Sequence, residues 1–250
     1  MKRLSKVFGS IGHGGSDSGA TAGRFIEKNM NLIYGKACID ELSKYVKTKI
    51  SRIDDSFIGL SGLVTMSNNY EAQIHLAFHL NAGKGDGCEI FHSMNSKEGK
   101  KLAEAISKRI AALGQNPHGQ YVKIKPSSKY ENKDYYTELG ATKAIAVIIE
   151  PAFIDSKDVE FVDTDAELKI LGISVAHGVL DYLGLKVNQE TKVFSVELKV
   201  IVEAAAIATK PIKVFKVNDL ITAVGEDDNY WILDIGGKKA YLEKSKTSRR

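Results

Sequence analysis

Three residues able to bind a metal ion or move a proton stand at the ends of apolar segments. His13 follows the segment that closes at Ile11, His79 lies near the end of IHLAFHL, and Glu150 closes AIAVIIE. Each segment has the length and apolar content of a buried strand. Because sites in α/β sheets form beyond the carboxyl ends of strands, we expect these three side chains to meet at one rim.

The segment IHLAFHL contains two histidines but predicts one ligand. Apolar residues alternate with His75, Ala77 and His79, which is the pattern of a strand, so both histidines share one face. A four-residue offset along a strand spans ~13 Å, which is too far for one metal ion. The loop NAGKGDG follows His79, and we therefore expect His79 rather than His75 at the rim.

Glu27 supplies a fourth candidate, in an early turn of the helix that follows the loop GHGGSDSG. Together, His13, His79 and Glu27 provide two imidazoles and one carboxylate. This set of three ligands is suited to catalytic zinc, which keeps a fourth position open for water. Zinc polarises a carbonyl and activates water. Glu150 is then left to act as general base and later as proton donor to the leaving amine.

Other interpretations of these residues are available. Spacing alone leaves the zinc hypothesis open, since the chain has no compact motif such as HExxH. Glu150 could be a paired structural carboxylate, although a glutamate closing six apolar residues is costly unless it is used. GHGGSDSG has neither the Gly-Lys-Ser/Thr of a phosphate loop nor the GxGxxG spacing. The remaining histidines are interpreted as core or surface residues: His75, His92, His118 and His177.

The hydrophobic pattern predicts an α/β domain with a mixed, mostly parallel sheet flanked by helices. Strands are expected at residues 4–11, 74–80, 88–92 and 144–149, and helices at 24–46, 59–70, 99–113 and 165–183. After a polar linker at 186–192, short strand-like runs broken by Gly, Asp and Asn predict a small all-β barrel. The predicted domains are therefore residues 1–185 and 193–250.

Composition restricts the classes of protein to which the chain can belong. Hydrophobic residues make up 43% and charged residues 26%, and no apolar run reaches the ~20 residues of a membrane span. A net charge of +4 suits an anionic partner but is too small to indicate nucleic acid. Cys38 and Cys88 form no CxxC pair and fit a reducing compartment. The opening MKRLSKVFGSIGHGG lacks the apolar segment of ~7–15 residues that a secretory signal requires.

Four motifs, IGHGGSDSGATAG, FHLNAG, GCEIFHS and VIIEPAFI, occur in the order and approximate spacing that resemble the zinc-dependent N-acetylmuramoyl-L-alanine amidases of the amidase-3 family. The resemblance covers residues 4–184. It implies zinc bound by His13, Glu27 and His79, and Glu150 as the catalytic glutamate. Arg52 stands where the family often has an arginine. The implied reaction is cleavage of the amide bond between N-acetylmuramic acid and L-alanine in peptidoglycan.

The chain departs from the family pattern at three places that leave these four residues intact. No acidic residue precedes GHGG, Leu80 replaces the usual small residue, and Pro151-Ala152 stands where Thr-Gly is common. These positions border the expected substrate groove. The departures therefore leave the preference for the stem peptide undetermined.

Residues 212–244 resemble a bacterial SH3-type domain, with Trp231 as either a ligand contact or the core aromatic of the barrel. A catalytic domain, a wall-binding module and no signal peptide together resemble a phage endolysin. Such a protein is expected in the host cytoplasm until a holin pore releases it to the cell wall. The expected partners are peptidoglycan and anionic wall polymers, without nucleic acid or membrane insertion, and the sequence indicates no oligomeric state.

Three other functions compete with this hypothesis. The same zinc and glutamate could serve a peptidase acting within the peptidoglycan stem peptide. A host-encoded autolysin could share the whole arrangement, although an export signal is expected of it. A non-catalytic wall-binding protein is the third, and the four residues of the proposed zinc site argue against it.

Overall fold

The computed structural model describes residues 5–187 and three later strands at 223–226, 230–235 and 238–243. The chain separates into two compact units, Met1–Val187 and Asn188–Arg250. This division falls inside the stretch 186–192, where the composition predicts a linker.

The first unit is built on a six-stranded mixed sheet. Residues 5–187 contain eight strands in chain order: β1 Lys6–Ile11, β2 Thr21–Ala22, β3 Phe25–Ile26, β4 Lys47–Ile50, β5 Ile74–Phe78, β6 Cys88–His92, β7 Pro117–Lys123 and β8 Ile145–Glu150. The large sheet has the order β4-β1-β5-β8-β6-β7, and β2 and β3 form a separate hairpin. The four neighbouring strands β4, β1, β5 and β8 are parallel to one another. Strand β6 pairs antiparallel with β8, and β7 runs parallel to β6.

Helices cover both faces of this sheet. They are α1 Glu27–Leu42, α2 Leu60–Asn69, α3 Lys97–Ala112, α4 Thr137–Ala141 and α5 Asp165–Leu183, with a 3-10 helix at Lys157–Phe161. Helices α1, α3 and α5 enclose the main core, whereas α4 contributes Leu139 to a smaller apolar cluster and also contacts α2. The predicted α/β fold with a mixed, mostly parallel sheet flanked by helices is confirmed.

Strand alternation assigns the side chains of β5 to these two layers. Ile74, Leu76 and Phe78 enter the main core, and Ala77 belongs to the smaller cluster under α4. A strand buried on both faces shows few polar residues, which explains why this segment is apolar almost throughout. The carboxyl ends of β1, β5 and β8 therefore lie side by side at one edge.

The structure differs from the sequence expectations at the sheet margins. The helix predicted from residue 24 begins at Glu27, because the β2–β3 hairpin takes up residues 21–26. Strands β4 and β7 were not predicted, since edge strands are half exposed and carry few apolar residues. The sequence QNPHGQ around His118 is typical of a turn, but His118 lies within β7.

The second unit contains a three-stranded antiparallel sheet of order β11-β10-β9. Its strands are β9 Ala223–Glu226, β10 Tyr230–Ile235 and β11 Lys238–Glu243. Trp231 belongs to β10 and pairs in register with Leu242. The predicted strand runs at 193–202 and 211–217 lie outside the described residues, so the SH3-like barrel stays a prediction. Within the part of the chain that is described, no helix has the length and apolar character needed to cross a membrane.

Candidate active site

His13 is held by the tight loop that follows β1. Its backbone has a φ of 63°, in the left-handed region, and Gly14 and Asp17 exchange two backbone hydrogen bonds of 2.8 and 3.0 Å. The same turn brings the Asp17 carboxylate to 2.9 Å from His13 Nδ1. A proton on Nδ1 shared with Asp17 leaves Nε2 of His13 free to act as a ligand.

Glu27 is the first residue of α1 and is buried. Backbone amides hold its carboxylate: Ala20 N donates to Oε2 at 2.9 Å, and Leu80 N donates to Oε1 at 3.1 Å. The side chain of Asn31, one turn later, donates to Oε1 at 3.3 Å. These donors fix the carboxylate at the rim, where the helix N-terminus also favours negative charge.

The structure brings His13, Glu27 and His79 together. Glu27 Oε1 lies 3.2 Å from His13 Nε2 and 3.1 Å from His79 Nδ1. One donor atom from each of the three residues falls within 4.8 Å of the others. The two imidazoles meet nearly at right angles, with ring centroids 5.1 Å apart. Two imidazole nitrogens and one carboxylate oxygen at this separation fit a zinc ion.

The electrostatics of this cluster also suit a cation. Burial lowers the pKa of His13, but the hydrogen bond and charge of Glu27, followed by those of Asp17, raise it to about 9. For His79, burial is likewise outweighed by Glu27, and its pKa is raised. The pKa of the Glu27 carboxyl is held far below its usual range despite burial, because both imidazoles bond to it. A metal ion bound here would replace the imidazole protons.

Glu150 ends β8 beside this cluster. The backbone amide of His79 donates to Ile149 O at 3.1 Å. Glu150 is the next residue after Ile149 and therefore lies close to His79 at the rim. Burial raises the pKa of Glu150 to about 7; the charge of His79 opposes this shift, and Glu89 and Glu27 add to it. Within the described residues the carboxylate makes no hydrogen bond or ion pair. A free carboxyl titrating near neutral pH suits general acid–base chemistry.

Tyr34 joins the two strands that carry His79 and Glu150. Its hydroxyl donates to His79 O at 2.7 Å and to Ile149 O at 3.1 Å, and its ring is fully buried. Tyr34 is not among the residues predicted for the site. Tyr34 lies two helical turns after Glu27, so it shares the helix face that points toward the sheet, and this spacing could have identified it.

Arg52 supports the loop rather than joining the cluster. Its buried guanidinium donates to the carbonyls of Gly12, Lys28 and Asp54 at 3.2, 2.7 and 2.8 Å. Through Gly12 and Lys28 it ties the end of β1 to α1. Arg52 therefore positions the backbone that carries His13.

His75 belongs to a separate buried cluster. Its Nε2 lies 2.9 Å from Glu138 Oε1 and its Nδ1 lies 3.0 Å from Ser67 Oγ, while Ser10 donates to the same Glu138 oxygen. The other histidines also lie away from the candidate metal site: His92 contacts Ser93 O, His118 contacts Asp86 O, and His177 approaches Glu41. The four histidines interpreted as core or surface residues are thus outside the His13–Glu27–His79 cluster.

The sequence is similar to an endolysin and to N-acetylmuramoyl-L-alanine amidases. Over 191 residues it is 32% identical to the endolysin of Bacillus phage SPP1, covering 72% of this chain and 66% of that protein. It is 26% identical over 201 residues to a sporulation-specific N-acetylmuramoyl-L-alanine amidase of Bacillus subtilis strain 168, covering 78% of this chain and 74% of the relative. The chain thus spans slightly less than two thirds of the length of the endolysin.

The fold comparison agrees. The N-acetylmuramoyl-L-alanine amidase of Clostridium difficile 630 superposes with a TM-score of 0.65 and 26% identity, over 74% of this chain and 100% of that one. The amidase-3 family, described as N-acetylmuramoyl-L-alanine amidase, matches residues 10–181, which is most of the chain. The protein therefore belongs to the amidase-3 family of N-acetylmuramoyl-L-alanine amidases.

Proposed function

We propose that this protein is a zinc-dependent hydrolase that cleaves the amide bond between N-acetylmuramic acid and the L-alanine of the peptidoglycan stem peptide. His13, Glu27 and His79 hold the zinc, and Glu150 moves the proton. The observation that carries the proposal is the convergence of three donor atoms within 4.8 Å at the strand edge that also bears Glu150. Membership of the amidase family supports the choice of substrate.

Each residue has a distinct task in this proposal. Zinc, when bound, supplies Lewis-acid polarisation of the scissile carbonyl and activation of water. Asp17 holds the His13 ring in the orientation that leaves Nε2 free, and the amides of Ala20 and Leu80 hold the Glu27 carboxylate. Glu150 takes a proton from the attacking water and returns it to the amine nitrogen that leaves.

We further propose that the protein acts as a phage endolysin, with residues 193–250 as an SH3-like wall-binding domain and the host cytoplasm as its location before release. The similarity to the SPP1 endolysin supports the phage role. The antiparallel sheet β9–β11 and the sequence pattern support the wall-binding role. The similarity to a sporulation amidase keeps a host-encoded autolysin as the second candidate.

The bond that is cut can be identified from the new termini on digested cell walls. The purified full chain is incubated with walls, and new amino groups are labelled and identified. An amidase releases N-terminal alanine, whereas a peptidase acting inside the stem peptide exposes other amines. Chelation should stop the reaction and added zinc should restore it. Release of other amines, or activity that survives chelation, would contradict the proposal.

A further inference from the structure

The connection between β7 and α4 is a structured hairpin with a basic and aromatic tip. Tyr135 N donates to Lys125 O at 2.8 Å, which closes the hairpin at its base. Asp134 anchors it to the loop after β6 by accepting from Ser93 Oγ at 2.7 Å and from Met94 N at 2.8 Å. These hydrogen bonds hold the backbone at the base of the hairpin.

Lys125, Tyr135 and Tyr136, called here the Lys125 patch, form one surface at that base. The Lys125 ammonium lies 4.3 Å from the ring centroid of Tyr135 and 5.1 Å from that of Tyr136, and 3.4 Å from the Tyr136 hydroxyl. The two rings pack edge to face, and Tyr135 is 56% exposed. Aromatic faces hold the ammonium in place without neutralising its charge.

Among the residues that the structure describes, Lys125 makes no ion pair, although its charge acts to lower the pKa of Glu150. Lys123, two residues earlier, is by contrast paired with Glu89. A positioned cation without an ion-pair partner, open to solvent and flanked by rings, is suited to an anion carried by an extended ligand.

The Lys125 patch lies on the same sheet face as Glu150. Tyr136 packs against Phe91 with ring centroids 5.1 Å apart. Phe91 stands two residues along β6 from Glu89, and Glu89 pairs in register with Glu150. Two residues along a strand span ~7 Å and return to the same face. The pKa of Tyr136 is consistent with this proximity, because burial raises it and the negative charge of Glu150 raises it further.

We propose that the Lys125 patch binds a free carboxylate of the peptide that leaves during the reaction. This inference rests on the proposed amidase function. The stem peptide is joined to the sugar through its amino end, so its free carboxylates all lie on the leaving side of the scissile bond. Glu150 returns the proton to the leaving amine, and the peptide therefore extends past Glu150, where Lys125 offers its charge and the tyrosine rings offer packing surface.

The test compares two soluble muramoyl peptides of the same sequence, one with all carboxylates of its peptide free and one with all of them converted to carboxamides. The full-length protein, Lys125→Met and a control, Lys133→Met, are assayed with both. Lys133 belongs to the same hairpin, but its ammonium faces the ring of Tyr130. Methionine keeps the aliphatic stem and removes the charge.

The parent should prefer the carboxylate substrate by about two- to fivefold in kcat/KM, the range of a solvent-exposed ion pair. Lys125→Met should lose this preference through a higher KM for the carboxylate substrate, and Lys133→Met should keep it. An equal loss on both substrates with a shifted pH profile would overturn the proposal, since Lys125 would then act through the charge of Glu150. Retained preference in Lys125→Met would overturn it as well.

If the protein is not an amidase, the parent cleaves neither muramoyl peptide, which distinguishes this outcome from failure of the Lys125 proposal. Binding of the free peptide is then measured by calorimetry. Lys125→Met must still weaken binding of the carboxylate peptide about two- to fivefold relative to Lys133→Met. Equal affinities of these two variants would refute the Lys125 patch as a carboxylate site.

Discussion

The imidazole of His79 lies directly against the Cα of Gly12. A methyl group added to Gly12 would fall 2.3 Å from His79 Cε1 and 2.6 Å from Nε2, distances that real side chains do not tolerate. The backbone of Gly12 cannot easily move away from the ring, because Gly12 N donates to Phe78 O and Gly12 O accepts from Arg52. The absence of a side chain at residue 12 therefore lets the β1 loop and the β5 end approach closely enough for His13 and His79 to meet.

Gly12→Ala should weaken zinc binding about 10- to 100-fold, the range seen when support of a metal ligand is removed. The physical reason is displacement of the His79 ring. Gly59→Ala is the matched control, because the nearest atom to its added methyl group would lie 3.9 Å away. Zinc titration of both variants checks the prediction, and unchanged affinity in Gly12→Ala would show that the ring relocates without loss of the site.

Replacement of His79 and His75 should separate metal binding from stability. His79→Ala removes a proposed ligand and should lose both bound zinc and lytic activity. His75→Ala should keep its zinc but lose about 3–5 kcal/mol of unfolding free energy, because the buried Glu138 carboxylate then keeps only its hydrogen bond from Ser10 among the described residues. Zinc content and urea unfolding are measured on the same preparations. Loss of zinc in His75→Ala and its retention in His79→Ala would reverse the assignment.

Glu150→Gln should keep zinc and lose lysis. The amide preserves the shape of the side chain but cannot accept a proton from water, and groups in this role contribute ~10²–10⁴-fold to rate. We expect at least a hundredfold slower fall in turbidity of a cell-wall suspension, with zinc content equal to that of the parent. A variant without metal would instead identify Glu150 as a ligand.

The same variant should be more stable than the parent in alkaline, metal-free solution. Burial raises the pKa of Glu150 from 4.5 to about 7, so the folded state favours the protonated carboxyl. The protonated Glu150 carboxyl therefore makes its full contribution to folding stability below pH 4.5, and this contribution is lost as the pH rises through 7. Glutamine does not ionise, and with chelator present Glu150→Gln should exceed the parent by about 1–3 kcal/mol at pH 8. At pH 4 the two should unfold alike; a difference there of equal size would point to packing instead of charge.

A fragment of residues 1–187 should fold and bind zinc by itself. The described apolar core of the first unit is formed within these residues, and the candidate ligands all belong to it. Lysis should be slower than with the full chain, because a wall-binding module raises the local concentration of substrate. Solubility, zinc content and turbidity assays test this expectation. An insoluble fragment would show that the second unit is needed to complete the fold.

The sequence was most informative where segments are buried on both faces. Strands β5 and β8 appear as apolar runs because sheet and helices exclude water from both sides, and β6 was predicted with its observed bounds. The edge strands β4 and β7 have one exposed side and were not predicted. Helix α4 has five residues, too few to show a helical period.

The sequence alone determined which residues stand at strand ends with the chemistry to bind a metal, namely His13 and His79, and which carboxylate follows an apolar strand, Glu150. Only the tertiary structure decided that they meet, since β1, β5 and β8 become neighbours through strand order, which no local pattern encodes. The same holds for Asp17 beside His13 and for the Lys125 patch beside Glu150. Local periodicity reports burial, whereas a site depends on contacts between residues far apart in the chain.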